Sequence, residues 1–237
     1  MASSAAYTRR LGFTKRPSNI LPDDHMALVN LALAYSQSGQ SEFAIETWKR
    51  AIACKPSNIE GCTRLSLEYE RVARDREALD AARQVERLAP NDAIAITNGA
   101  SCLSRLGEFG DALKRAREAI LSDPNYPDGH LHAAFALRQS GDNQSVIDEY
   151  RKAIELKPDS FVALANLGGV HLELEQWKEA VTLLKRAAEL DPDSVDVHDA
   201  LGAAYLKSGD RERAIEELGH VHRLKPEFQG ELYKLLD

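Results

Sequence analysis

Residues 161–194 read FVALANLGGVHLELEQWKEAVTLLKRAAELDPDS, two apolar-periodic stretches closed by Leu190-Asp191-Pro192-Asp193. Apolar and small residues return at three- and four-residue spacing through Leu164, Leu167 and Gly168, and again through Ala180, Leu184 and Ala187, the period of a helix with one buried face. Pro192 has no amide hydrogen to extend the second helix, so the pattern stops there. The same punctuation recurs along the chain: Pro56, Pro90, Pro124, Pro158, Pro192 and Pro226 stand 34 residues apart, with only Pro17, Pro22 and Pro127 outside the series. Six contiguous units follow, 25–58, 59–92, 93–126, 127–160, 161–194 and 195–228.

Each unit predicts two helices. Between them lie Ser38-Gly39-Gln40, Leu106-Gly107-Glu108, Ser140-Gly141-Asp142 and Ser208-Gly209-Asp210, where glycine suits the left-handed residue that ends a helix; units two and five place Ala73 and Glu175 there instead. After each second helix the acid or serine beyond the proline is positioned to cap the next helix. Small residues Ala32, Ala100, Ala134, Gly168 and Gly202 on the first helices, and Ala44, Ala78, Ala112, Ala180 and Ala214 on the second, allow close helix approach. Beyond Pro226, Leu232, Leu235 and Leu236 predict a short helix over 229–237 that covers the last core edge.

Composition agrees. With 14 Gly, 9 Pro and 6% aromatics, the 237 residues lack the turn chemistry of a β-sandwich. A formal charge of −7 opposes general binding to nucleic acid, and charge interrupts every apolar run before it reaches membrane-spanning length.

These residues resemble the tetratricopeptide repeat family, over residues 25–228. The unit of Leu164, Leu167-Gly168, Ala180, Leu184, Ala187 and Pro192 departs from that pattern in having His171 where tyrosine is usual, and Leu201-Gly202, Tyr205, Gly209, Ala214 and Pro226 follow it as well. Units two and three depart most: Ser66 replaces the small Gly or Ala, Leu103 replaces tyrosine, and Ala82 and Ala116 stand where a large ring is expected. The resemblance implies an all-α fold, a right-handed α-solenoid superhelix of six helix-turn-helix units with a short C-terminal capping helix, whose first helices line a concave groove.

On that groove, unit position 6 reads Asn30, Arg64, Asn98, His132, Asn166 and Ala200, and position 13 includes Gln37, Arg71, Arg105 and Gln139. An asparagine side chain both donates and accepts, so it can hold a peptide backbone without reading its sequence. Leu33, Leu67 and Phe135 at position 9 add apolar surface, either as a patch for a partner or as packing against the neighbouring unit. Arg64, Arg71, Arg105 and Arg138 fall in units two to four, while Asp128, Glu173, Asp196 and Asp199 lie farther along. The family's clamp for a C-terminal carboxylate has no counterpart here, since Val29, Leu33 and Ile94 occupy its polar positions.

No cofactor, metal or catalytic constellation is predicted. His130/His132 and His220/His222 are spaced by two, which on a helix separates the rings, and no phosphate-loop or nucleophile-elbow motif occurs. His130 and His198 fall on packing positions, and Cys54, Cys62 and Cys102 fall on inward faces as small apolar residues. An odd number of cysteines without a paired motif suits a reducing, cytoplasmic compartment. Residues 1–24 form a basic arm: Arg9, Arg10, Lys15 and Arg16 precede the first acid, Asp23, a composition shared with organelle transit segments. Three readings of the arm stand: Tyr7, Leu11, Phe13 and Ile20 dock on the chain's own first repeat as an N-cap or in another copy's groove, giving a homo-oligomer; the arm is unstructured; or it touches an anionic membrane. The expected function is a non-enzymatic scaffold or adaptor that holds an extended or helical segment of a protein partner in the groove. The alternative is a structural subunit that uses its convex helices and arm within a larger complex.

Overall fold

The computed structural model describes residues 24–236, without the side chain of Leu236, so the arm and its residues Tyr7, Arg9, Arg10, Leu11, Phe13, Lys15, Arg16 and Ile20 lie outside the described residues. The fold is all-α. Among the described residues twelve helices pair as the repeat arithmetic predicts: α1 (His25–Gln37) with α2 (Ser41–Cys54), α3 (Ile59–Arg71) with α4 (Asp75–Leu88), α5 (Ala93–Arg105) with α6 (Phe109–Ser122), α7 (Pro127–Leu137) with α8 (Asn143–Leu156), α9 (Phe161–Glu173) with α10 (Trp177–Leu190), and α11 (Val195–Lys207) with α12 (Arg211–Leu224). A short α13 (Glu231–Leu236) follows, and a 3-10 turn, Arg138–Ser140, continues α7. The helices form two compact units, the first ending at Ser122 and the second starting at Asp123.

Local chemistry sets the boundaries. Asp24, Asn58, Asp92 and Ser160 cap α1, α3, α5 and α9 by accepting backbone hydrogen bonds from the first turn, which otherwise has no acceptors. The cap is the last residue of the repeat, so in the fourth repeat the serine beyond the proline, Ser160, takes it. Ser194 stands at the corresponding place before α11 without a side-chain cap bond. Between the paired helices all six turns adopt a left-handed residue: Gly39, Gly107, Gly141 and Gly209 have φ of 72°, 78°, 72° and 91°, and Ala73 and Glu175 have 56° and 58°.

In the first unit, Trp48 is fully buried while its counterparts Ala82 and Ala116 fill the same place with far less bulk. Cys62, Val85 and Ala95 make a core with Ile52 packed against it. Ser66 is tolerated at a small-residue position because its hydroxyl donates to the Ala78 carbonyl on α4, at 2.9 Å. Cys54 departs from expectation: as the last residue of α2 it projects past the core and is exposed, whereas Cys62 and Cys102 are buried.

In the second unit, Ala180, Leu184, Leu201, Ala204, Tyr205, Ala214 and Leu232 form one core. Gly168 is required by close approach, since a Cβ there would lie 2.6 Å from Leu184 Cγ. Leu232 fixes α13 against α11 in the same way, its Cδ2 sitting 2.2 Å from where a Cβ on Gly202 would be. His171 replaces the usual tyrosine by a hydrogen bond between its Nδ1 and the Gln176 amide oxygen. His130 and His198 are the interhelical groups expected, with Nδ1 at 2.7 Å from Glu149 and 2.6 Å from Glu217.

Candidate functional site

The predicted site residues lie on the first helix of each pair. In the first unit these are Asn30, Leu33 and Gln37 on α1, Arg64, Leu67 and Arg71 on α3, and Asn98 and Arg105 on α5, with α3 and α5 in direct contact. In the second unit His132 and Phe135 lie on α7, Gln139 in the 3-10 turn, and Asn166 on α9, which touches α11.

Asn30 is exposed and Asn98 half-buried, and neither side chain is hydrogen-bonded to the described residues. Asn166 donates from Nδ2 to the Val162 carbonyl at 2.8 Å, which leaves its Oδ1 as an acceptor. Leu67 is 37% and Phe135 43% exposed, so these two are not buried against a neighbouring repeat, while Leu33 is half-buried. Gln37 and Gln139 are exposed. Burial pushes the His132 imidazole below its ordinary range against the opposing pull of Asp128.

The arginines behave differently from the expectation of free groove donors. Arg71 donates to Glu68 at 2.8 Å and to the Ser36 carbonyl at 3.4 Å; Arg105 pairs with Asp75 and donates to the Glu70 carbonyl at 3.1 Å. Each reaches back 35 residues to the last turn of the preceding first helix, where carbonyls lack helical partners, and so ties neighbouring repeats together. Arg138 pairs with Glu173, and Arg64 makes only a loose, exposed pair with Glu60 at 3.8 Å. Asp199, grouped with the groove acids by sequence, is buried and accepts the amides of Glu231 and Leu232 at 2.9 and 3.1 Å, capping α13.

Beneath the stripe of the first unit lies a polar layer that sequence reasoning missed. Glu68 is 3% exposed, and its Oε2 finds no hydrogen-bond partner among the described residues. Cys102 Sγ contacts Glu70 Oε1 at 3.4 Å; burial first, and the adjacent carboxylate second, push that thiol up to about 12, and burial likewise raises the Glu70 carboxyl. The signal was Glu68 at repeat position 10, where Ala34, Cys102, Ala136, Val170 and Ala204 stand in the other repeats.

Models of the tetratricopeptide repeat match residues 27–59, 100–161 and 168–209, more than half of the chain between them. The chain belongs to the tetratricopeptide repeat family. No curated protein sequence matches it. Among solved structures it is similar to PilW, a type IV pilus biogenesis factor, with a TM-score of 0.76 and 16% identity over 90% of this chain and 97% of the other. It is also similar to pilF of Pseudomonas aeruginosa, with a TM-score of 0.74 and 17% identity over 90% and 96%. A third is YrrB, a tetratricopeptide repeat protein with an unusual peptide-binding site, with a TM-score of 0.57 and 17% identity over 81% and 98%. At these identities the likeness is one of fold.

Proposed function

We propose that this protein is a non-enzymatic scaffold whose first-helix faces hold an extended segment of a protein partner. The observation that carries the reading is the presence of amides and exposed apolar side chains on the same faces: the exposed Asn30 and half-buried Asn98 with Leu67 in the first unit, the half-buried Asn166 with Phe135 in the second. Amides bind a peptide main chain irrespective of sequence, and the neighbouring apolar groups supply the contact area. A fold of this class carries a peptide-binding site in YrrB, which supports the same use here. Arg71 and Arg105 leave the proposed contact set, because both are committed to ties between repeats.

The test is affinity capture from the native cell with the intact chain and with an Asn30→Ala/Asn98→Ala/Asn166→Ala variant of unchanged helical circular dichroism. A partner held by the amides is lost from the variant, at about 1 kcal/mol per hydrogen-bonded contact removed. Identical retention by both chains defeats the reading and favours the structural-subunit alternative. That alternative has its own feature, a cleft of about 420 Å³ on the second helix of the last pair, lined by Ile215, Leu218, Val221, Pro226, Phe228 and Tyr233.

A further inference from the structure

Position 2 of the repeats alternates in a way that position 6 follows. Odd repeats carry an exposed apolar residue with an asparagine one turn later: Met26 with Asn30, Ile94 with Asn98, Val162 with Asn166. Even repeats carry an acid there: Glu60, Asp128 and Asp196. The period of the stripe is therefore two repeats. In the second unit it runs acid, apolar, acid, with Val162 48% exposed between Asp128 and Asp196 along the stripe and Phe135 exposed on α7. Asp196 is exposed, and Asp128 accepts the Tyr126 hydroxyl at 3.1 Å. In the first unit, by contrast, Glu60 already faces Arg64.

The complementary pattern occurs in the chain's own first residues. Arg9-Arg10, Leu11 with Phe13, and Lys15-Arg16 run basic, apolar, basic, in a stretch without a single acid. Packed helices lie about 10 Å apart, so first helices two repeats apart are separated by about 20 Å. Six residues of extended chain, the spacing from Arg9-Arg10 to Lys15-Arg16, cover about 20 Å as well. Repeats four to six also hold most of the chain's excess acid. We infer that the first-helix face of the second unit binds residues 7–20 of a second copy, Arg9-Arg10 and Lys15-Arg16 on Asp128 and Asp196, with Leu11 and Phe13 over Val162 and Phe135. The result is self-association driven by the arm. It rests on the first-helix reading above and gives that face a particular occupant.

The test is sedimentation of the full chain over a range of concentrations. Wild type gains mass with concentration and loses it in about 0.5 M salt, where exposed pairs are screened. An Asp128→Lys/Asp196→Lys variant and an Arg9→Glu/Arg10→Glu/Lys15→Glu/Arg16→Glu variant each associate at least about tenfold more weakly, and an equimolar mixture of the two recovers association. Because Asp128 and Asp196 lie in the first turns of their helices, where acids favour helix formation, an Asp128→Asn/Asp196→Asn pair serves if the lysine variant loses helical signal. A wild-type chain that stays monomeric, or acid variants that associate as before, overturns the inference. Partner capture reads the broader function separately: acid and arm variants that lose self-association but still retain the partner leave that function standing, while it falls if the Asn30→Ala/Asn98→Ala/Asn166→Ala variant retains the partner as wild type does.

Discussion

Glu175 holds a backbone φ of 58°, a conformation in which a Cβ crowds the following carbonyl, at the turn where four of the other repeats place glycine. The turn geometry is imposed by the two helices it joins, since Ala73 adopts nearly the same φ, 56°, in another sequence context. Removing the Cβ relieves strain, partly offset by the greater freedom of glycine in the unfolded chain. Glu175→Gly is therefore expected to stabilise the second unit by about 0.5–1 kcal/mol, read as a higher urea midpoint at unchanged slope. Gly141, already at φ 72°, should respond in the opposite sense to alanine.

The short α13 is secured by a residue more than thirty positions upstream. Asp199 receives two amides of α13, and Gly230 leaves the space, because a Cβ there would lie 2.3 Å from the Asp199 carboxylate. Asp199→Ala removes both acceptors and is expected to cost about 1–2 kcal/mol, with faster amide exchange over Glu231–Leu235 while α9 and α10 keep their protection. An α13 that exchanges at the wild-type rate in this variant would mean that Leu232, fully buried against Gly202, holds the helix without help. None of this shows in the local sequence, because the cap and the helix it serves are joined only in space.

For the whole molecule, the architecture was legible and the occupation of its surface only in part. The prolines, the turn positions and the small residues repeat every 34 residues, so helix pairing could be read from spacing alone. Main-chain carbonyls leave no mark in a sequence, which is why Arg71 and Arg105 read as groove donors although the Ser36 and Glu70 carbonyls claim them. Alkaline stability is a second global property. Burial holds the Cys102 thiol at about 12 against 9.0, and the Tyr150 phenol at about 12 against 10.0, so the unfolded chain releases these protons first. Their stabilising effect is intact below pH 9.0 and disappears as pH rises to about 12. A Cys102→Ala/Tyr150→Phe chain should show a flatter fall of urea midpoint across that range. The Tyr150 hydroxyl has no hydrogen-bond partner among the described residues, so its removal is expected to cost little at neutral pH. Cys54 lies at the other extreme, in the open while both other thiols are shut inside their helix pairs. A single dye can thus be attached to the native chain without engineering, and energy transfer between differently coloured copies would count subunits in solution.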